Sequence, residues 1–170
     1  MTINKILLEK KRNDEILEKY KNVIDSKVHE NIEMVLSKED EEYSLWDISK
    51  NYIEAFKDQV RYSFWIDKES ELLGAIIGYI KKVHKGNSSK RNLKEIVNFL
   101  IYNDFVNYEN ANELFEINNV TGEALELWDN YLESTQSELT RQAVGVGLIH
   151  KIQVFFMLED IRNKKTVIYF

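Results

Sequence analysis

Not one proline interrupts the 170 residues of this chain, and over most of its length apolar residues recur every three or four positions. Proline is the commonest helix stopper, because it lacks an amide N–H and clashes with the preceding turn. A chain without it can run long helices, and spacings of three and four give each helix one stripe to bury. Ile16, Leu17, Tyr20, Val23, Ile24, Val28, Ile32 and Val35 form one continuous stripe, ended by the polar and charged run from Ser37 to Glu42. Ser44 is placed to cap a second helix whose inner face is Leu45, Ile48, Tyr52, Phe56 and Val60. Asp67 is a cap for a third, lined by Leu72, Leu73, Ile76, Ile77, Ile80 and Val83 and ended by Gly86 in a left-handed conformation. Asn87, Ser88 and Ser89 lead into a fourth through Leu93, Ile96, Val97 and Leu100. Thr121 reads as the N-cap of a helix from Gly122 to about Ser134, and a last long helix is expected over Ser137–Arg162.

Two segments also keep a period of two. Val60, Tyr62, Phe64 and Ile66 alternate with Gln59, Arg61 and Ser63, as in a strand with one buried face. Val144, Val146 and Leu148, then Ile152, Val154 and Phe156, alternate in the same way, and the tail from Thr166 to Phe170 is strand-like in composition. Helical spacing fits both longer segments equally, and their helical neighbours decide for helix. The expectation is a mainly α protein, a compact bundle of about five to six helices, with room for a short β element near 59–66 or at the C-terminus. With 44 % apolar residues, no internal repeat and no linker-like stretch, residues 1–170 are expected to form a single globular helical domain.

The chain has no cysteine, which excludes disulfides, thiolate catalysis and cysteine-bound zinc. Its first residues hold only a three-residue apolar run before a charge cluster, unlike a signal peptide. The longest apolar-leaning segment, Ala143 to Leu158, contains His150, Lys151 and Gln153 and is too short to span a bilayer. A cytoplasmic protein without membrane association is expected.

Charge is sharply segregated. Residues 101–140 carry nine acids, Asp104, Glu109, Glu113, Glu116, Glu123, Glu126, Asp129, Glu133 and Glu138, and no Lys or Arg. Residues 81–94 carry Lys81, Lys82, Lys85, Lys90, Arg91 and Lys94 and no acid. On a helix from Gly122, the acids Glu123, Glu126, Asp129 and Glu133 fall on one stripe opposite Ala124, Leu125, Leu127, Trp128, Tyr131 and Leu132. The helix dipole favours Glu123 and Glu126, but like charges one turn apart oppose each other by ~0.2–0.5 kcal/mol per pair. The plain reading is a solvated face, or one lying against residues 81–94. The functional reading is a face complementary to a basic partner, where spaced carboxylates take the place of phosphates and long-range attraction speeds capture.

The remaining motifs exclude more than they suggest. His29-Glu30-Asn31-Ile32-Glu33 begins like a zinc-protease helix, but Glu33 stands where the second histidine belongs. Asn118, Asn119 and Gly122 lack the acid spacing of a calcium loop. Gly145-Val146-Gly147 has no third glycine and no strand before it, so it is not a phosphate loop; small residues there suit close helix packing. Arg141 and His150 are separated by more than the four to six residues usual in the Arg–His pairs of small helical ribonucleases, so that activity is not carried over. No metal or cofactor is expected. The sequence therefore favours a non-enzymatic inhibitor, of the nuclease-inhibitor, immunity or anti-defence type, whose nine acids from Asp104 to Glu138 occlude a basic protein such as a nucleic-acid-binding enzyme or a toxin. A second reading binds nucleic acid directly through the basic stretch 81–94, and a third is a small helical enzyme centred on His150.

Overall fold

The computed structural model describes residues 2–39, 42–56, 63–103 and 108–168, and the described residues are mainly helical, with no strand among them. Among the described residues nine α-helices follow in chain order: α1 (Ile3–Lys19), α2 (Lys21–Asp25), α3 (Val28–Ser37), α4 (Leu45–Glu54), α5 (Ser63–Val83), α6 (Leu93–Tyr102), α7 (Tyr108–Ile117), α8 (Glu123–Ser134) and α9 (Glu138–Ile168). The count exceeds the expected five to six for two reasons. The stripe from Ile16 to Val35 is continuous in sequence but is carried by three helices, broken at Tyr20 and at Lys27, whose backbone is left-handed (φ 53°). The segment Glu9–Glu15 offers no apolar face, so α1 fully buries no residue and meets the rest through half-buried Ile16 and Leu17 and a Glu9–Lys164 pair at 3.7 Å, while α3 lays Val28, Ile32 and Val35 on the core. The third extra helix is α7, where Ala111, Leu114 and Phe115 keep helical spacing.

The period-two segments are helical where described. Ser63–Ile66 form the first turn of α5, residues 59–62 lie outside the described residues, and 144–156 lie inside α9. Thr166–Ile168 continue α9, and residues 169–170 lie outside the description. Ser44 caps α4 as expected, its Oγ accepting from the Asp47 amide at 3.2 Å. Asn92 does the same for α6 with the Glu95 amide at 3.0 Å. Gly86 is left-handed (φ 81°) just past α5. Asp67 is not a cap: α5 begins four residues earlier, and Asp67 pairs with Lys50 at 3.4 Å. Nor is Thr121 a cap, since Gly122 takes that position with φ 68° and no side chain closes the turn.

Helix α5 is the axis of the fold. Glu69 through Ile77, Tyr79 and Ile80 are all buried, so it is enclosed on every side. Its closest neighbours are α4 and α8, with α9, α6 and α3 completing the surround. Two glycines set the approach of α8: a methyl at Gly74 would come within 2.6 Å of Leu127 Cδ1, and one at Gly78 would overlap the Ala124 methyl. Around this axis one apolar cluster runs from Tyr20 through Leu158. No helix among the described residues is long and apolar enough to cross a membrane.

Candidate partner-binding surface

Acidic residues reach the surface because their helices bury the opposite side. In α8, Ala124, Leu127, Trp128 and Tyr131 are buried, which turns Glu126, Asp129 and Glu133 outward. In α7, Ala111 and Phe115 are buried and Glu109, Glu113 and Glu116 are exposed. The two helices are tied by a Phe115–Trp128 stack (centroids 4.6 Å apart, planes 12° apart) and by Trp128 Nε1 donating to Asn112 Oδ1 at 3.0 Å. Glu138 is exposed in the first turn of α9, and Asp104 lies outside the described residues. Among the described residues no salt bridge engages Glu109, Glu113, Glu116, Glu126, Asp129, Glu133 or Glu138.

Glu123 leaves this group. Its carboxylate lies at the start of α4, accepting from the Leu45 amide at 2.9 Å, the Trp46 amide at 3.0 Å and the Ser44 hydroxyl at 3.5 Å. The first amides of a helix have no partner within it, and the dipole there favours an anion. Glu123 thus joins α8 to α4, and of the four acids expected on one α8 stripe, three face solvent.

The basic stretch is divided rather than gathered. Arg91 is buried: Nε donates to Leu36 O at 2.8 Å, Nη1 to His84 O at 3.0 Å, and Nη2 to Ser37 O at 3.3 Å, while Nη1 also pairs with Glu39 at 3.1 Å. One guanidinium therefore satisfies the carbonyl ends of both α3 and α5. Glu39 also accepts from the Gly86 amide, and Glu33 from the Leu93 amide at 3.0 Å. Lys90 pairs with Glu95 at 3.6 Å, and Lys82, Lys85 and Lys94 are exposed.

The enzyme candidates also part company. His150 is exposed on the outer side of α9. Arg141 is buried on the inner side, its Nη1 donating to Thr135 O at 2.6 Å and Gln136 O at 2.9 Å at the end of α8. Among the described residues, no cluster of three or more His, Asp or Glu side chains could hold a metal ion.

Buried charge lies elsewhere. Glu69 of α5 and Lys151 of α9 form an ion pair of 2.7 Å, at 4 % and 6 % exposure. Gly147 makes room for it, since a methyl there would collide with Glu69 Oε1. Burial pushes the Glu69 carboxyl above its usual range, with Lys151 opposing. Tyr52, fully buried beside them, is pushed well up, first by burial and then by the Glu69 charge. His29 packs on Tyr52 and Phe155 with centroids 5.1 and 5.0 Å apart. Burial, aided by the Arg162 charge, lowers it to about 4. The sequence carries one signal for the ion pair: Lys151 falls seven residues after buried Val144, and Glu69 seven before buried Ile76, both in phase with inward stripes.

No protein-family model, curated protein or solved structure matches this chain.

Proposed function

We propose that the protein acts by binding and performs no chemistry: the acidic outer faces of α7 and α8 cover a basic surface of a partner protein, of the kind that otherwise holds nucleic acid. The observation that carries this reading is the set of six exposed carboxylates, Glu109, Glu113, Glu116, Glu126, Asp129 and Glu133, none in a salt bridge among the described residues and none with a base nearby in sequence. Four of their pairs stand three or four residues apart, at ~0.2–0.5 kcal/mol each against the isolated helices. A cost of that kind is maintained most simply if a cationic surface is meant to meet it. The stack between Phe115 and Trp128 holds the two helices in one arrangement, so little ordering is required on binding. Attraction between complementary fields speeds encounter and weakens with salt. Inhibitors of nucleases, immunity proteins that neutralise toxins and proteins that disarm a defence enzyme share this physical character. The inward turn of Arg91 counts against direct nucleic-acid binding through residues 81–94.

The test compares the immobilised native chain with the Glu126→Lys, Asp129→Lys, Glu133→Lys variant. Support is a single basic protein retained from native cell lysate by the native chain at low salt, weakened at high salt and lost on charge reversal. That protein should also release its nucleic acid on binding. Equal retention by both chains, or retention of nucleic acid in place of protein, would overturn the reading.

A further inference from the structure

One long face of α9 is unlike the rest of the surface. Between Leu139 and Leu158 the only charged residues are Arg141 and Lys151, and both are buried. Apart from the exposed His150, the outward face of this stretch therefore carries no ionisable side chain, in a chain of which 31 % is charged. Leu139 is 76 % exposed, Val146 66 % and Phe156 38 %; Gln142 and Gln153 are exposed and Ile149 half-buried. These six positions alternate by three and four residues, the spacing of a coiled-coil seam.

The order of residues along the seam is a palindrome of types: Leu139, Gln142, Val146, then Ile149, Gln153, Phe156. A two-fold axis crossing the helix between Gly147 and Leu148 superposes apolar on apolar and amide on amide. An antiparallel second α9 would place Leu139 against Phe156, Gln142 against Gln153 and Val146 against Ile149, each layer occurring twice. Paired glutamines can satisfy each other's amides across the axis, which a partner lacking this order would leave unpaired. An isologous interface needs this self-complementarity. Charge points the same way, because a chain with net charge −6 can approach its own copy with least repulsion along a neutral face.

We infer that α9 pairs antiparallel with α9 of a second copy along Leu139–Phe156, forming a two-fold dimer that leaves the acidic faces of α7 and α8 to other partners. Eighteen residues of helix span roughly 27 Å. The area such a seam buries is on the order of 1,000 Å² for both copies together, the lower range for a specific interface, so the dimer should be reversible. The inference is independent of the proposed inhibitor function, since it uses no acidic residue.

The experiment is sedimentation of the full chain over a concentration series, with Val146→Lys beside it and circular dichroism to confirm that both are folded. The expected result is a monomer–dimer equilibrium whose dissociation constant rises at least tenfold in V146K. The absence of native cysteine allows a test of register. Gln142→Cys combined with Gln153→Cys should cross-link into a dimer under mild oxidation, because each thiol meets the other's site across the axis. Gln142→Cys alone should not, as the two copies of residue 142 lie about 16 Å apart along the seam. A monomer throughout the series, a dimer indifferent to V146K, or efficient cross-linking of the single Q142C variant would overturn the proposal.

Discussion

Replacing Lys151 by Met tests how this fold tolerates charge in its interior. The change keeps most of the side chain's bulk and removes only the ammonium that lies 2.7 Å from Glu69. Glu69 is 4 % exposed, so water cannot replace the lost partner. Breaking a buried pair on one side costs about 3–5 kcal/mol, because the remaining charge is uncompensated. For a chain of this size that lowers Tm by roughly 10 °C. The pH dependence identifies the cause. Burial already raises the Glu69 pKa in the folded state, and losing Lys151 removes the main opposing influence. A carboxyl whose folded pKa exceeds its unfolded value binds more protons when folded, so its folded form gains as pH falls and loses as pH rises through the folded pKa. The K151M penalty should accordingly be largest at neutral pH and shrink as pH falls through the raised folded-state value toward the carboxyl's ordinary 4.5. Adding Glu69→Gln should recover most of the stability at pH 7. The assay is urea unfolding of the native chain and both variants between pH 4.5 and 8. A K151M penalty below about 1 kcal/mol at pH 7, or one that does not change with pH, would refute the argument.

Two further outcomes follow from other parts of the interior. His29 is lowered from 6.5 to about 4, so between those values the unfolded chain binds the proton that the folded one refuses; stability should fall by about 3 kcal/mol as pH drops through that window, and His29→Phe should flatten this part of the profile in thermal melts. Glu123 and Glu133 share a helix but should respond oppositely to neutralisation. Glu123→Ala leaves the Leu45 and Trp46 amides without their carboxylate and should cost about 1–2 kcal/mol, whereas Glu133→Gln relieves repulsion from Asp129 and should raise stability by a few tenths of a kcal/mol, as matched denaturation curves would show.

Much of the helix pattern was legible in advance because its causes are local. Ser44 is three residues before the amide it accepts from, and Gly86 takes the left-handed turn past α5 without the strain a side chain would add. The inner faces of α5, α6 and α8 follow the apolar spacing directly. Other features depend on residues far apart in sequence. Nothing near Glu123 indicates that it closes a helix 78 residues earlier, and nothing near Arg91 indicates that it binds the last carbonyls of α3, those of Leu36 and Ser37. Both read as ordinary members of a charged run, and a count of like charges therefore overstated the acidic stripe and the basic patch by one residue each.

The sequence by itself determined that this chain is helical, where most helices bury their faces, and that one 40-residue segment is uniformly acidic, since each depends on backbone propensity, spacing or composition. Only the tertiary structure decided which charges face water. A side chain's exposure depends on what the neighbouring helices bring to it, and the amides of α4, the carbonyl ends of α3 and α5, and Glu69 against Lys151 meet only when the chain closes around α5.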